Sequence, residues 1–185
     1  MELTDYGGKW DPNITFQSFS KEILVELLEQ YRTLLLTHDG MWSTAVSEKY
    51  GIEAGIKCGE AAWKMYAPIE MKKIREVLNV QGNDVETFLK VSQFTPSSSL
   101  NAYDLDIELK NARHAIMTFT RCKNLEWMEQ HAPERVAPIC QRMEPPLMKA
   151  YGQTINPRMR VEVLKLPPRK SRDEIACQWE IKLEE

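Results

Sequence analysis

The chain has 185 residues and a mass of 21.5 kDa, which is the size of one ordinary domain that can bury most of the surface of its unfolded form. Its 43% hydrophobic and 28% charged residues are typical of a globular protein and exclude disorder as the expectation. The net charge of −3 gives no overall positive field that would attract phosphate backbones, so nucleic acid is not an expected partner.

The sequence also indicates the cellular compartment of the protein. Its first residues contain neither a basic segment nor an apolar run, which argues against a signal peptide, and no stretch approaches the roughly 20 apolar residues of a transmembrane helix. The four cysteines, Cys58, Cys122, Cys140 and Cys177, are widely spaced and form no CxxC pair. We therefore predict a cytoplasmic protein with free thiols and no membrane association.

The N-terminal part of the sequence favours helices. Residues 1–15 are predicted to form an extended arm that Trp10 holds against the protein. A helix with an apolar stripe at three- and four-residue steps begins after Ser20. We expect Asp39-Gly40 to end this helix, because aspartate and glycine favour turns, and a short second helix to follow.

Two further helices complete this mainly helical part, residues 1–96. A long helix is predicted over 52–78, with a kink at Pro68 because proline removes one hydrogen bond inside a helix. The sequence over 83–86 resembles a capping box, which predicts the start of a fourth helix that Pro96 ends.

The remaining part, residues 97–185, changes to a two-residue period. Apolar and charged residues alternate from Tyr103 to Lys110, which predicts a strand with one buried face. A second strand, two helical stretches (the second interrupted by proline and ended by Gly152) and two final strands are predicted at 115–121, 125–130, 135–151, 159–166 and 175–183.

This order of elements predicts an α+β fold. Two hairpins separated by helices form a four-stranded antiparallel sheet, and the helices cover its apolar face. The chain is then one domain, 1–185, with an N-terminal helical subdomain followed by a strand-strand-helix-helix-strand-strand part.

Three cysteines are predicted to meet near the C-terminal hairpin. Cys122 ends the second strand, Cys140 lies on the apolar stripe of the proline-interrupted helix, and Cys177 lies on the inner face of the last strand. Three thiols on three elements suit zinc or iron, with His131 or Glu134 as a fourth ligand. The alternative is that they are small hydrophobic residues of the core.

The sequence also allows catalytic roles for cysteine, histidine and arginine residues of this part of the chain. Cys140 or Cys177 could act as a nucleophile if a base lies within reach, and His114 and His131 are candidates by position, although exposed surface positions explain both histidines more simply. Arg121, on a predicted strand, could bind a substrate carboxylate with two hydrogen bonds or could face water.

Aromatic residues suggest a ligand pocket. His38 and Asp39 beside Trp42 could form an oriented base, or a turn between helices in which Asp39 caps the second one. The abundant tryptophans and methionines could line an adaptable pocket or simply fill the core. The candidate ligand contacts are Trp42, Trp179, His38 and Tyr151.

The C-terminal third of the sequence resembles the aminothiazoline-carboxylate hydrolase-like family of bacterial proteins. More distantly, it resembles the vinyl reductase small-molecule-binding domain, which shares its α+β architecture with TRAPP vesicle-tethering subunits. The shared features are an arginine-cysteine pair that ends a strand, a cysteine in the next helix, a glycine that closes this helix and a final cysteine-x-aromatic strand, here Arg121-Cys122, Cys140, Gly152 and Cys177-Gln178-Trp179.

The resemblance implies two kinds of site. Some vinyl reductase-type domains sense aromatic or tetrapyrrole-like ligands, and some hold zinc through cysteines and a glutamate, which here would be Cys122, Glu134, Cys140 and Cys177. The helix of this chain departs from the family pattern at 144–146, where Glu-Pro-Pro must bend it.

Three functional hypotheses result. The first is a small-molecule-binding domain whose pocket lies between the C-terminal sheet and the helices, for an aromatic or carboxylated metabolite, with a zinc or iron ion as an option. The second is a hydrolase that opens a small C–N ring, with Cys140 or Cys177 as nucleophile or metal ligand and Arg121 on the carboxylate. The third is an interaction protein, such as a homodimer, whose aromatic residues form the subunit interface.

Overall fold

The computed structural model describes residues 2–99 and 101–184. Three helices precede a β-hairpin, two more helices follow, and a second hairpin ends the chain. The helices are α1 Lys21–Tyr50, α2 Ile52–Val77, α3 Val85–Ser92, α4 Lys123–His131 and α5 Glu144–Ile155, and the strands are β1 Tyr103–Asn111, β2 His114–Cys122, β3 Met159–Lys165 and β4 Cys177–Leu183. A 3-10 turn, Pro133–Arg135, and a π-helical segment, Pro138–Met143, connect α4 to α5.

The four strands form one antiparallel sheet in the order β1-β2-β4-β3. Residues directly opposite each other on antiparallel strands share a face, and here Met117 lies opposite Trp179 and Phe119 opposite Cys177. Helices cover this inner face, and the main core joins it to α2, α3 and α5 through Trp63, Met71, Phe88, Leu147, Tyr151, Met117, Trp179 and Ile181. The structure thus confirms the predicted α+β class and its N-terminal helices.

The first helix is longer than predicted, because α1 continues through Asp39-Gly40. A glycine inside a helix costs only about 1 kcal/mol, which tertiary packing can offset. The indole Nε1 of Trp63 on α2 donates a hydrogen bond of 3.1 Å to the Asp39 carboxylate, so this side chain does not need to cap a new helix. The predicted turn is wrong, and α1 ends only at Gly51, whose φ of +89° favours glycine.

Two local predictions fail for packing reasons. Trp10 is 80% exposed and holds nothing, since the arm is attached by backbone hydrogen bonds between Leu3 and residues Ser18 and Ser20. Gly152 lies inside α5, which continues to Ile155, and therefore does not end the helix. A Cβ at this position would lie 2.8 Å from a methyl group of Val161 on β3. The glycine instead permits close contact between helix and strand.

The edge strand β1 is more exposed than its alternating pattern predicts. Ile107 and Leu109 are both exposed, although they belong to the apolar half of the pattern. The helices reach only the first part of this strand, where Leu105 packs against the core. Within residues 2–99 and 101–184, no helix is both long and apolar enough to cross a membrane.

Candidate functional site

A cavity of about 730 Å³ separates the inner face of the sheet from the helices above it. Its walls are mainly apolar: Met117, Phe119 and Trp179 come from the sheet, while Trp63 and Leu147 come from α2 and α5. Several lining residues are also exposed and mark the opening, among them Met41 and Glu48 on α1 and Asn124 and Trp127 on α4. The cavity therefore lies between the C-terminal sheet and the helices and communicates with solvent.

The structure brings Cys122, Cys140 and Cys177 to the walls of this one cavity. Cys122 caps α4, since the backbone N–H of Leu125 donates to its sulfur at 3.4 Å, and the Trp179 indole N–H donates to the Cys177 sulfur at 3.2 Å. Burial raises the pKa of the Cys122 thiol to about 11 and that of Cys177 to about 12, and raises the pKa of Cys140 further. All three are therefore protonated thiols at neutral pH.

The predicted metal ligands do not form a coordination site. In the part of the chain that the structure describes, no group of three or more His, Cys, Asp or Glu side chains is arranged to hold a metal ion. Glu134 is exposed on the 3-10 turn and does not line the cavity, although the three cysteines do. The three sulfurs lie on the wall of the same cavity, but they are not arranged around a common point where a metal ion could bind.

Glu144 is the most unusual group of the cavity. It begins α5 directly after the π-helical segment, where Pro145 and Pro146 cannot donate the usual helical hydrogen bonds. Its half-buried carboxyl lines the cavity, and no group within 2–99 and 101–184 forms a hydrogen bond or ion pair with it. Burial, reinforced by the nearby charge of Asp39, raises the pKa of Glu144 to about 7.

A second carboxyl, that of Asp39 on α1, faces the same cavity but has partners. It accepts the hydrogen bond of the Trp63 indole, and burial raises its pKa while the charge of Arg135 opposes the shift. Arg135 is itself buried and donates to the hydroxyls of Thr44 at 2.8 Å and Ser43 at 2.9 Å. This arginine thus joins the 3-10 turn to α1 at the cavity wall.

At the wall formed by α5, Tyr151 belongs to a closed network. Its hydroxyl donates to the buried carboxyl of Glu70 on α2, which also accepts a hydrogen bond of 2.7 Å from the Ser97 hydroxyl. Burial raises the pKa of Glu70, and the burial of Tyr151 beside this carboxyl raises the pKa of the phenol. The network connects α2, α5 and the loop after α3.

Of the other predicted site residues, Trp179 and Tyr151 line the cavity, whereas several lie outside it. Arg121 forms an ion pair of 2.8 Å with Asp104 on the outer part of the β1–β2 hairpin. Trp42 is 52% exposed on α1 and His38 is also exposed. None of the three histidines, all of them within the described residues, lines the cavity.

Sequence reasoning missed Glu144, Trp63 and Arg135 as cavity residues. For Glu144 a signal existed, because positions 140, 144, 147 and 151 share one face of a helix, and a carboxyl then interrupts an otherwise apolar stripe. For Trp63 and Arg135 no local pattern indicated the cavity, since it is closed by elements far apart in the chain.

The fold and the cavity together define an α+β domain with a mostly apolar cavity between its sheet and its helices. A scan of protein-family models places the chain more specifically: it belongs to a family of unknown function (DUF6125), whose model matches residues 17–183. Searches of curated proteins and of solved structures found no match. The resemblance to hydrolase-like and vinyl reductase-type proteins is not tested by these findings and stays a prediction.

Proposed function

We propose that this protein binds a small, mainly apolar molecule in the cavity between the sheet and the helices. The observation that carries the proposal is a space of about 730 Å³ with apolar walls inside an otherwise packed core. Protein interiors contain few voids larger than a water molecule, and ligand sites typically measure about 300–1,000 Å³. A cavity that opens to solvent, has this volume and is lined mainly by apolar side chains has the geometry that small-molecule sites share.

The walls indicate which part of a ligand they would contact. Trp63, Phe119 and Trp179 offer flat apolar surfaces that suit an aromatic or other planar group. A carboxylated ligand has less support, because Arg121 is paired with Asp104 outside the cavity and Arg135 is bound to two hydroxyl groups of α1. We therefore favour the aromatic half of the sequence-based expectation.

Blocking the cavity tests this proposal. A fragment library is screened by thermal shift against the wild-type protein, where a saturating ligand should raise Tm by about 5 °C or more. Cys140→Phe places a ring in the cavity and should abolish the shift. Cys58→Phe is the matched control, because Cys58 is an exposed cysteine on α2 and does not line the cavity.

Two results would contradict the proposal. One is a folded Cys140→Phe protein that binds the same fragments as the wild type, which would place them elsewhere. The other is a wild-type protein that no fragment stabilises and from which native mass spectrometry detects no co-purified small molecule.

The hydrolase hypothesis has weaker support from the same geometry. A cysteine nucleophile needs a thiolate and a nearby base, yet the cavity thiols have raised pKa values and the described histidines lie outside the cavity. A carboxyl with a pKa near 7, such as that of Glu144, is the group that could serve as a general base. A bound fragment that is recovered chemically unchanged after incubation argues for binding over turnover.

A second candidate function, self-association through α1, is favoured by a separate observation. None of the thirty residues of α1, all of which the structure describes, is buried. Leu34 and Met41 are seven residues apart and both exposed, and Tyr31, three residues before Leu34, is exposed on the same face. A heptad-spaced apolar stripe is typical of a helix that packs against another long helix, and a second copy of the chain supplies one.

Light scattering tests this candidate. We expect a dimer at micromolar concentration that Leu34→Glu combined with Met41→Glu converts to a monomer. Val77→Glu makes the same change at an exposed position at the end of α2 and should leave the dimer intact. A wild-type protein that stays monomeric at all concentrations would remove this function.

A further inference from the structure

The charged side chains around the cavity have an unequal balance. Among the described residues that line it, Asp39, Glu48 and Glu144 carry carboxyl groups, whereas Arg135 is the one that carries a fixed positive charge. Arg135 already donates to Ser43 and Thr44, and its charge acts on Asp39. The described cavity wall therefore carries more acidic than basic side chains, which favours a positively charged ligand group.

Of these three carboxyl groups, Glu144 is the one that neither accepts a hydrogen bond from the described residues nor lies at the opening of the cavity. Asp39 receives the Trp63 hydrogen bond and Glu48 is exposed to water at the opening, but Glu144 lies inside without a partner in the described part of the chain. A carboxylate that is partly removed from water and has no hydrogen bond or counter-charge is less stable than one in water, so protonation or a positive group stabilises it. Residues 2–99 and 101–184 place no such group beside Glu144, and a ligand in the cavity would supply one.

Glu144 acts on titratable groups from several walls of the cavity. Burial is the main cause that raises the pKa of Tyr103, Cys122, Cys140, Tyr151 and Cys177, and the negative charge of Glu144 adds to each rise. Asp39 is the group that acts on Glu144 from α1. A ligand atom beside this carboxyl therefore lies within the aromatic and thiol-lined space.

Building on the proposed function, we infer that the ligand is a basic amine with an apolar, preferably aromatic, body whose protonated nitrogen binds the Glu144 carboxylate. The geometry supplies both components that ammonium recognition uses, a negative partner and aromatic side chains such as Trp179 and Tyr103 on the walls. Thiols and methionines complete a soft surface for the apolar body.

Ionisation of Glu144 then becomes part of binding. At pH 6 most of this carboxyl is protonated, since its pKa is about 7, and at pH 8 most of it is charged. An amine with a pKa above about 9 stays protonated over this range, so its apparent affinity should rise by about tenfold from pH 6 to pH 8. A neutral ligand of the same shape should show no such rise.

The experiment uses sets of compounds that differ only in one group. Aryl-alkyl amines, the corresponding alcohols and the corresponding carboxylic acids are titrated into the full-length protein by calorimetry at pH 6 and pH 8. We expect amines to bind at least about tenfold tighter than alcohols at pH 8, and acids to bind most weakly. Glu144→Gln should remove this preference, whereas Glu134→Gln, an exposed glutamate that does not line the cavity, should retain it.

Proton release gives an independent measure that needs no variant. Binding of an amine at pH 7 should release about half a proton from Glu144, which calorimetry in buffers of different ionisation enthalpy detects. Alcohols and acids that bind as well as amines, without dependence on Glu144, would overturn this inference and leave the proposed function intact. If no compound of any class binds and the cavity-blocking test also fails, the proposed function is wrong as well.

Discussion

Two interior carboxyl groups of this protein, Glu70 and Glu144, have opposite surroundings. Glu70 is only 3% exposed and accepts hydrogen bonds from the hydroxyls of Tyr151 and Ser97. Glu144 borders the cavity, and the described residues give it no hydrogen bond. Burial raises the pKa of both, but the bonds to Tyr151 and Ser97 oppose the rise at Glu70, while the charge of Asp39 adds to it at Glu144.

The difference in hydrogen bonding suggests different roles for the two carboxyl groups. A buried polar group that is fully hydrogen-bonded connects elements of the fold, and here Glu70 joins α2, α5 and the loop after α3. A buried polar group without a partner lowers the stability of the free protein. We therefore assign Glu70 to the fold and Glu144 to the ligand, and four experiments can contradict or refine this assignment.

The largest effect is expected at Glu70. Glu70→Ala leaves the Tyr151 hydroxyl and Ser97 without their acceptor and should lower the free energy of unfolding by about 3 kcal/mol. Urea unfolding measures this loss. Glu76→Ala, an exposed glutamate on the same helix, is the control and should leave the urea midpoint unchanged. A tolerated Glu70→Ala change would mean that the network does not support the fold.

The second effect is a pH dependence caused by Glu144. Between its ordinary pKa of 4.5 and its folded-state pKa of about 7, the folded protein binds more protons at this site than the unfolded chain does. Stability should therefore fall as the pH rises through this window, by about 1.4 kcal/mol per pH unit at most and by about 2.5 kcal/mol between pH 5 and pH 8, and level off above it.

Comparison of the wild type with Glu144→Gln isolates this contribution, because the other groups with raised pKa values, such as Glu70 and Asp39, are present in both proteins. The difference in unfolding free energy, wild type minus variant, should decrease from pH 5 to pH 8. A difference that stays constant over this range would show that Glu144 ionises normally and is not a buried, unpaired acid.

A smaller effect is expected when the ligand-free protein is compared at a single pH. At pH 8, Glu144→Gln removes an unpaired charge and should increase the free energy of unfolding by about 1 kcal/mol, since the amide still lacks partners. Urea unfolding of dialysed protein measures the change. Destabilisation at pH 8 would indicate that Glu144 holds a structural contact, in contrast to our assignment.

Much of the fold could be predicted from the sequence, because its signals are local. The strand periods and the start of a helix after Ser20 indicated the correct elements and the α+β class. The failures at Asp39-Gly40 and Gly152 share one cause. Each position was judged from its local turn preference, whereas contacts with Trp63 and Val161 from other elements decide its conformation.

The candidate site could be predicted only in part, for the same reason. The meeting of Cys122, Cys140 and Cys177 depends on strand order and on one apolar stripe, both of which are visible in the sequence. Whether their sulfurs surround a metal ion or line a void depends on distances of a few ångströms, which no residue pattern specifies. The importance of Glu144 likewise depends on the absence of a hydrogen-bond partner among residues 2–99 and 101–184, which no residue pattern predicts.

The smallest effect is expected at Arg121, the residue that the hydrolase hypothesis places on a substrate carboxylate. In this structure its guanidinium pairs with Asp104 on the neighbouring strand, and both side chains are exposed to solvent. Surface ion pairs contribute little to stability, so Arg121→Ala should leave Tm and the binding of apolar amines unchanged. Thermal shift and calorimetry on the same preparation measure both quantities. A folded Arg121→Ala protein that has lost ligand binding would mean that the ligand reaches the β1–β2 hairpin and carries a negative group there, and the choice of Glu144 as the ligand's partner would then have to be abandoned.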